Sequence, residues 1–564
     1  MELVFSFALK DIAVELRPVK RKGWRRLARP KVPIEALAVW RPVCRDWDAM
    51  IRDIIARFRT RTVKANLSHK TEQQQAEIVQ SIVSRGDAVV DLRVALFGHQ
   101  NHRVVRRQSV DWGELLRHCP NLQRLDVSKM TFLTRERLVE LLDAAARYCL
   151  KLQVLLLPLP LGWSKYPEPN DEGDDGLIEA LARALEQWLR RGPSGGLRQL
   201  MVPHLARNSN DFVAAVARFA PKVELLDGWK LTYLNDGWGA LTCDDEWHLS
   251  LDVWEAFCQN CADIREFNWV VVPFADAFFI PFGSTVKWRL TDLSLDFTDA
   301  FDALDDAVGP AYSADGLCLM LRGVPYVKRF KVTLHPRCRV DVNIFGDKFL
   351  VELARSSSYL EQFSIIEAGQ YSGSDAIESI SNDGISQLAA MPHLADITLE
   401  AIQTGSCCDF SVLVSKLPLN LRQRNVKIGI LEDFGDCVLP LVQQIVEQPE
   451  GTFDGRAFAI LLVNQGYRRG KVKVPSSPHT WEQNLGEVQA ALQAKHPTVR
   501  FQLTLEKQKM PRGSAASLYC VSKFSVFTTS WVYPDVMGGT FYRGDIVYQA
   551  NEDKAPFAWI KTFG

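Results

Sequence analysis

The sequence has little of what marks an enzyme, a secreted protein or a membrane protein. Twelve cysteines in 564 residues are too few for a disulfide framework. Ten histidines are scattered, and none joins a Ser, a Cys or a second His in a catalytic or metal-ligand motif. The formal net charge is zero. The most apolar long stretch, Phe267 to Phe282, is broken by Pro273, Asp276 and Pro281 and is too short to span a bilayer. The apolar run Leu3 to Leu9 has no basic residue before it and no small-residue cleavage site after it, which makes a poor export signal. Reduced thiols in an intracellular compartment, cytoplasm or nucleus, are expected. At this length one core would have stopped growing, at roughly 250–300 residues, so several domains or a repeat array are implied.

What the sequence does have is a recurrent spacing. Cys119 is followed three, six and eight positions later by Leu122, Leu125 and Val127. Cys149 and Cys261 repeat those offsets, and so do Ala220, Val324, Ser357 and Met391 with a different first residue. The last two apolar positions lie two apart and share one face of a short strand. The run before them, for example Leu138, Leu141, Leu142 and Ala145 before Cys149, has helical spacing. One strand and one helix cannot bury their own apolar faces, whereas stacked neighbours can. Taking the residue at the sixth offset as a marker, the series runs Leu92, Leu125, Leu155, Leu200, Leu226, Phe267, Leu293, Phe330, Phe363, Ile397, with Ile428 and Ile460 as extensions. The spacing predicts a first strand at 89–94, a helix over 71–82, and repeats from 111 to about 470. Past 471 it predicts a helix over 476–495 and a strand holding Phe501, Leu503 and Leu505, then an aromatic-rich cap to residue 564.

Residues 1–65 hold sixteen Lys or Arg against seven Asp or Glu, a net charge of +9. Lys20 to Arg29 contains six of these cations. A solvated face, a nuclear-localisation or nucleic-acid patch, and attraction to an acidic partner all suit such a run. Leu37 and Trp40 belong to a short helix, and Pro42 suits the first turn of the next, where Val43, Cys44, Trp47, Met50 and Ile51 share one side.

The segment Leu37, Trp40, then Val43-Cys44-Arg45-Asp46-Trp47 resembles the later half of an F-box. The repeats resemble leucine-rich repeats of the cysteine-containing type, although the Asn or Cys usual three residues past the last apolar position is irregular here, with Met130 and Pro160 in that place. The resemblance implies an α/β leucine-rich-repeat solenoid, a horseshoe, preceded by an F-box-like helical module at 1–60 and a junction with the first repeat at 61–110. It implies a substrate-recognition subunit of a Skp–cullin–F-box ubiquitin ligase. Leu37, Trp40, Val43 and Trp47 would hold a Skp-type adaptor, and the concave strand face, including Gln123, Arg124, Asp126, Arg265, Glu266, Asn268, Lys328 and Arg329, would hold a protein substrate. The alternative is a protein-binding scaffold with no ubiquitin role.

Other motifs fall to plainer readings. Cys258 and Cys261 have the spacing of a redox pair or half a zinc site, but no second pair accompanies them, and both fit an apolar core. Gly466 to Lys471 is one residue short of a phosphate loop, and Val472 stands where Ser or Thr is needed. The acidic run Glu168 to Asp175 lacks the alternating ligands of a calcium loop. No catalytic constellation, metal or cofactor is expected, and neither a membrane nor a nucleic-acid partner.

Overall fold

The structure, a computed structural model, describes residues 61–68, 70–96, 110–130, 133–158, 175–202, 209–227, 249–267, 275–297, 312–334, 340–367, 377–402, 412–416, 418, 421 and 423–430. It also describes strands at 457–464, 500–509 and 520–528 and short pieces at 48–49, 52, 446–450 and 494–495. The chain divides into two compact units, residues 1–234 with 245–271, and residues 235–244 with 272–564.

In unit 1 seven strands follow chain order: β1 Thr62–Asn66, β2 Asp91–Leu96, β3 Arg124–Met130, β4 Val154–Leu156, β5 Gln199–Met201, β6 Leu225–Asp227 and β7 Glu266–Phe267. Each is parallel to the next. Helices α1 Glu72–Val83, α2 Trp112–Arg117, α3 Arg135–Tyr148, α4 Asp175–Arg191, α5 Ser209–Phe219 and α6 Leu251–Asn260 stand between them. The predicted markers are register partners: Leu92 pairs with Leu125, Leu125 with Leu155, Leu155 with Leu200 and Leu200 with Leu226. All are buried, and each contributes about 1.5–3 kcal/mol by leaving water. The ladder starts one strand earlier than the sequence suggested, because Val63 of β1 pairs with Leu92. The helix predicted over 71–82 is α1, entered through a capping box between Thr71 and Gln74.

One repeat shows how the local sequence makes the unit. Thr134 caps α3 by accepting from Arg137 N. Leu138, Leu141, Leu142 and Ala145 form its buried face. Cys149 ends it, with its N–H on Ala145 O at 2.9 Å. Leu152 N then closes a turn on Cys149 O at 3.1 Å, and Gln153 N and Val154 N both reach Gln123 O of the repeat before. The same turn recurs as Leu122 on Cys119, Val223 on Ala220, Leu290 on Lys287, Val327 on Val324 and Leu360 on Ser357.

Unit 2 continues the rule with β8 Asp292–Phe297, β9 Arg329–Leu334, β10 Gln362–Glu367, β11 Asp396–Ile402, β12 Gln423–Ile430, β13 Ala457–Asn464 and β14 Arg500–Lys509, each parallel to the next. β15 Cys520–Thr528 closes the order antiparallel to β14. Its described helices are α7 Asp276–Ser284, α8 Ala314–Arg322, α9 Asp347–Ser356, α10 Asn382–Ala390 and the short α11 Val412–Ser415. Leu293, Phe330, Phe363 and Ile397 are in register. The next marker is Val426, not the expected Ile428, since Ile397 pairs with Val426 and Val426 with Ile460. Parallel pairing passes residue 470, with Ile460 opposite Leu503. Of the helix expected over 476–495, only Ala494 and Lys495 are described, and they are helical. The aromatic residues of 511–564, apart from Phe524 and Phe527 of β15, lie outside the described residues.

Unit 2 also links its helices directly. Asp276 at the start of α7 accepts from the N–H of Ser313, which caps α8, at 2.9 Å. Asp347 at the start of α9 does the same for Ser381, the cap of α10, at 2.8 Å. Gly316 and Gly384 stand three residues past those caps, where a Cβ would collide with the carboxylates. Among the described residues no helix is long and apolar enough to cross a membrane.

Candidate interaction surfaces

The predicted adaptor-binding residues Leu37, Trp40, Val43 and Trp47 lie outside the described residues, as does the basic run Lys20 to Arg29. Next to Trp47, Asp48, Ala49 and Arg52 are helical, with Arg52 on Asp48 at 2.6 Å one turn away.

The markers face the helices, as Trp254 of α6 on Phe267 at 5.7 Å and Phe349 of α9 on Phe363 at 6.1 Å show. The residues on either side of each marker therefore face the opposite side of the sheet. In unit 1 most of that side is buried as well, at Arg124, Val154, Leu156, Gln199, Met201, Leu225 and Glu266, while Arg93 and Asp126 are half-buried. Val154, Leu156 and Met201 pack together there. Of the residues expected to offer a substrate surface, Arg124 and Glu266 are thus buried, Gln123 and Asp126 are half-buried, Arg265 is exposed, and Asn268 lies outside the described residues. In unit 2, β8 is buried on both sides. Across β9 to β11 that side is half-open: Arg329, Lys331, Gln362, Ser364, Asp396 and Thr398. It carries polar cross-strand pairs, including Arg329 with Asp292 and Gln362 Nε2 with Asp396 Oδ2 at 2.9 Å.

Two positions before the marker, a second row crosses the repeats. In unit 1, Glu224 accepts from Arg198 at 2.6 Å and pairs with Arg265. Its side chain is 3% exposed. In unit 2 the same row holds Lys328 and Glu361, 2.9 Å apart and each 48% exposed.

A third row lies in the turn between helix and strand. Unit 1 places Asn121, Lys151 and Lys222 there, and they bond polar neighbours: Lys151 Nζ to Asn121 Oδ1 at 2.6 Å, and Lys222 Nζ to Ser194 O at 3.1 Å. Unit 2 places Tyr326, Tyr359 and His393 in that position, with Trp288 one residue earlier in its own turn. Ring centroids are 5.7 Å apart from Trp288 to Tyr326, 5.4 Å from Tyr326 to Tyr359 and 6.2 Å from Tyr359 to His393. Trp288 is 65% exposed, Tyr326 38% and Tyr359 48%, and His393 is exposed too. Core periodicity does not find this row, because it falls outside the apolar offsets. An aromatic four residues before three successive markers was the signal available.

The position that holds cysteine in unit 1 seals helix ends. Cys149 Sγ lies 3.5 Å from Cys119 O and 3.8 Å from Leu116 O of the preceding repeat, and Cys261 Sγ lies 3.8 Å from Ala220 O. Cys119, Cys149, Cys258 and Cys261 are buried free thiols, as the core reading of Cys258 and Cys261 expects. Burial lifts the Cys119 thiol to about 11 and drives Cys149 upward. In unit 2, Lys287 takes this place, fully buried, with Nζ on Phe282 O at 2.6 Å and on Thr285 O at 3.1 Å. Arg424 is another buried cation, bonded to Ala389 O at 3.0 Å, Leu413 O at 2.8 Å and Leu394 O at 3.2 Å. Burial lowers it to about 10, which still leaves it charged at neutral pH. Among the described residues no group of three or more His, Cys, Asp or Glu could hold a metal ion.

No family model and no curated protein matches the chain. Among solved structures, the chain is matched to the crystal structure of the Rad7 and Elc1 complex in yeast at 13% identity and a TM-score of 0.37, over 63% of this chain and 73% of that one.

Proposed function

We propose that the chain is a leucine-rich-repeat subunit that recognises a protein substrate for a Skp–cullin–F-box ubiquitin ligase. The observation that carries the recognition half is the half-open polar row on β9 to β11, where Arg329, Lys331, Gln362, Ser364, Asp396 and Thr398 stand in register over an aromatic core. A rigid parallel sheet with polar side chains aligned across strands suits an extended protein epitope. The adaptor half rests on the F-box resemblance of Leu37, Trp40, Val43 and Trp47. Two tryptophans beside aliphatic residues make an anchor of the kind that dominates interface energy. The basic run at Lys20 to Arg29 speeds encounter with an acidic adaptor, an effect that fades with salt. The chain itself catalyses nothing in this reading.

The test is binding of the full chain to a purified Skp-type adaptor, wild type against Val43→Asp. Binding by wild type that the substitution abolishes supports the adaptor half. Absence of wild-type binding at low salt removes it, and the chain is then a protein-binding scaffold with no ubiquitin role.

A further inference from the structure

The helices of unit 1 end at one edge, because each runs into the turn that starts the next strand. Neighbouring helices pack side by side, so their last turns form a row. That row is cationic. Arg85, Arg147, Arg191 and Arg218 end or follow α1, α3, α4 and α5, and Lys151 and Lys222 stand in the turns beyond α3 and α5. All six are exposed, and none meets a carboxylate among the described residues. Arg147 lies over the Tyr148 ring at 6.0 Å and Arg218 over Phe219 at 5.0 Å, contacts that place a guanidinium without neutralising it. Lys151 and Lys222 bond Asn121 Oδ1 and Ser194 O, which are uncharged. Asp87, Glu114 and Glu186 share the edge, but Glu114 already holds Arg117 at 3.4 Å and Glu186 holds Arg190 at 2.8 Å. The balance stays positive.

A cation in a last helical turn also suits the macrodipole. Unit 2 shows that this need does not leave the charge unpaired. There Arg322 of α8 and Arg355 of α9, each in a last turn, share one carboxylate, Glu352, at 3.1 and 2.5 Å. Lys151 and Lys222 lie beyond their helices, where the dipole effect has faded.

We propose that this edge of unit 1 binds the phosphate backbone of a double-stranded nucleic acid without reading its bases. The first support is continuity. Cations that no carboxylate neutralises recur between α1 and α5, which matches a ligand charged at every step. The second is the lack of an apolar anchor. A protein partner would centre on apolar side chains with few charges among them. Among the described residues of unit 1, the exposed large hydrophobic is Leu251, which starts α6 at the opposite edge. Phosphate contacts need no such anchor. The third is the state of the rings. A single strand stacks its bases on open rings, whereas Tyr148 and Phe219 are half-buried beneath guanidinium groups. A duplex keeps its bases stacked on one another and presents phosphates, which suit the planar fork of arginine. These cations are far apart in sequence and meet only through the stacking of repeats, so no basic run marks them. The inference stands apart from the adaptor reading, since it uses none of residues 1–60.

The experiment is fluorescence anisotropy of labelled DNA and RNA duplexes of about 20 base pairs, roughly 68 Å at about 3.4 Å per pair for DNA, titrated with the full chain. Both are expected to bind at low salt, and the tighter of the two identifies the source of the phosphates. Affinity is expected to fall about a thousandfold between about 50 and 200 mM salt if some six phosphates are neutralised. Arg147→Ala with Arg191→Ala and Lys222→Ala is expected to weaken binding at least about tenfold at low salt and to make the log–log salt slope shallower by about 2.7, at about 0.9 per phosphate. Thermal unfolding of that variant is expected to stay as in wild type. A polyglutamate of similar charge is expected to bind more weakly. Absence of duplex binding at low salt overturns the proposal. So does an unchanged affinity and slope in the triple variant, which would assign any binding to another surface such as Lys20 to Arg29. Polyglutamate binding as tight as the duplex, lost in the triple variant, also overturns it and makes the edge a surface for acidic protein segments.

Discussion

In unit 1 the place six residues before the marker holds Cys119, Cys149 and Cys261, with Ala220 before Leu226, whereas in unit 2 it holds Lys287, Val324, Ser357 and Met391 and no cysteine. The backbone turn is the same in both. Two residues further along, unit 1 places polar Asn121, Lys151 and Lys222 against polar neighbours, and unit 2 places exposed rings. The side of the sheet away from the helices is buried in unit 1 at Val154 and Leu156 of β4, Gln199 and Met201 of β5 and Leu225 of β6, and half-open in unit 2 from β9 to β11. The repeat is therefore defined by register and by one turn, and the remaining positions are free to diverge. Unit 1 uses them for internal contacts. Unit 2 leaves Tyr326, Tyr359 and His393 exposed.

The sharpest way to break that comparison is a carboxylate at one register position in each unit. Leu156 follows the marker Leu155 in β4 and is buried, whereas Ser364 follows Phe363 in β10 and is half-open. Leu156→Asp is expected to cost several kcal/mol, and Leu155→Asp on the helix side as much, because an unpaired carboxylate would be buried in either case. Loss of that repeat also removes stacking from both neighbours, so early or non-cooperative unfolding is expected by circular dichroism. Ser364→Asp is expected to stay within about 0.5 kcal/mol of wild type. Equal melting of Leu156→Asp and Ser364→Asp would mean the two sheet faces do not differ.

A smaller contrast sits in the charged row. Glu224 is nearly enclosed and is held by Arg198 and Arg265, while Glu361 meets Lys328 in water. Glu224→Ala leaves two guanidinium groups facing each other beside a buried gap, at an expected cost of about 2–3 kcal/mol. Glu361→Ala is expected to cost less than about 0.5 kcal/mol, less still in high salt. Chemical denaturation of both variants at two salt concentrations measures the difference.

Alkaline pH tests the cysteine position of unit 1 by another route. Burial raises the Cys119 thiol from 9.0 to about 11 and raises Cys149 as well. Unfolded thiols lose their protons first, so between these values the unfolded chain binds fewer protons than the folded one, and stability falls as pH rises. The contribution is full below pH 9 and is lost as pH passes 11. Wild type is expected to lose melting temperature across that window more steeply than Cys119→Ala with Cys149→Ala. Val324, Ser357 and Met391, at the same place in unit 2, carry no thiol, although burial also raises the Cys318 thiol within α8. Parallel slopes in wild type and the double variant would contradict this.

The register was legible because its markers are apolar and spaced from a fixed turn. Leu92 to Leu226 and Leu293 to Ile397 align strand against strand as the offsets said. The reading slipped at β12, where Val426, Ile428 and Ile430 alternate and Asn420, not a small apolar residue, stands six before Val426. Period two alone cannot choose among three such residues. Lys287 was invisible as a repeat residue because a charge is not expected in a buried turn, and the two carbonyls that accept from its ammonium, those of Phe282 and Thr285, are placed by how α7 ends and not by residue spacing. The enclosure of Arg124 and Glu266 was equally hidden, since alternation gives the direction of a side chain and not what covers it.

The least effect expected comes from moving one unit's solution into the other. Ser357 occupies in unit 2 the place of Cys149 in unit 1. Its backbone is satisfied, with N on Leu353 O at 3.0 Å and O accepting from Leu360 N at 3.0 Å. Its hydroxyl is fully buried and has no hydrogen-bond partner among the described residues. Cys149 avoids that cost because sulfur reaches the carbonyls of Leu116 and Cys119 in the repeat before, at 3.8 and 3.5 Å. The equivalent carbonyls in front of Ser357 belong to Leu321 and Val324. A thiol tolerates an apolar site better than a hydroxyl and interacts at longer range. Ser357→Cys is therefore expected to raise stability by about 1 kcal/mol, and Ser357→Ala by a similar or smaller amount, because an unsatisfied buried hydroxyl costs about 1–3 kcal/mol. Cys149→Ser is expected to lower stability by a comparable amount. Urea midpoints at neutral pH under reducing conditions measure all three. A destabilised Ser357→Cys beside a neutral Cys149→Ser would show that the two units seal their helix ends by different means and that the shared turn does not make their side chains exchangeable.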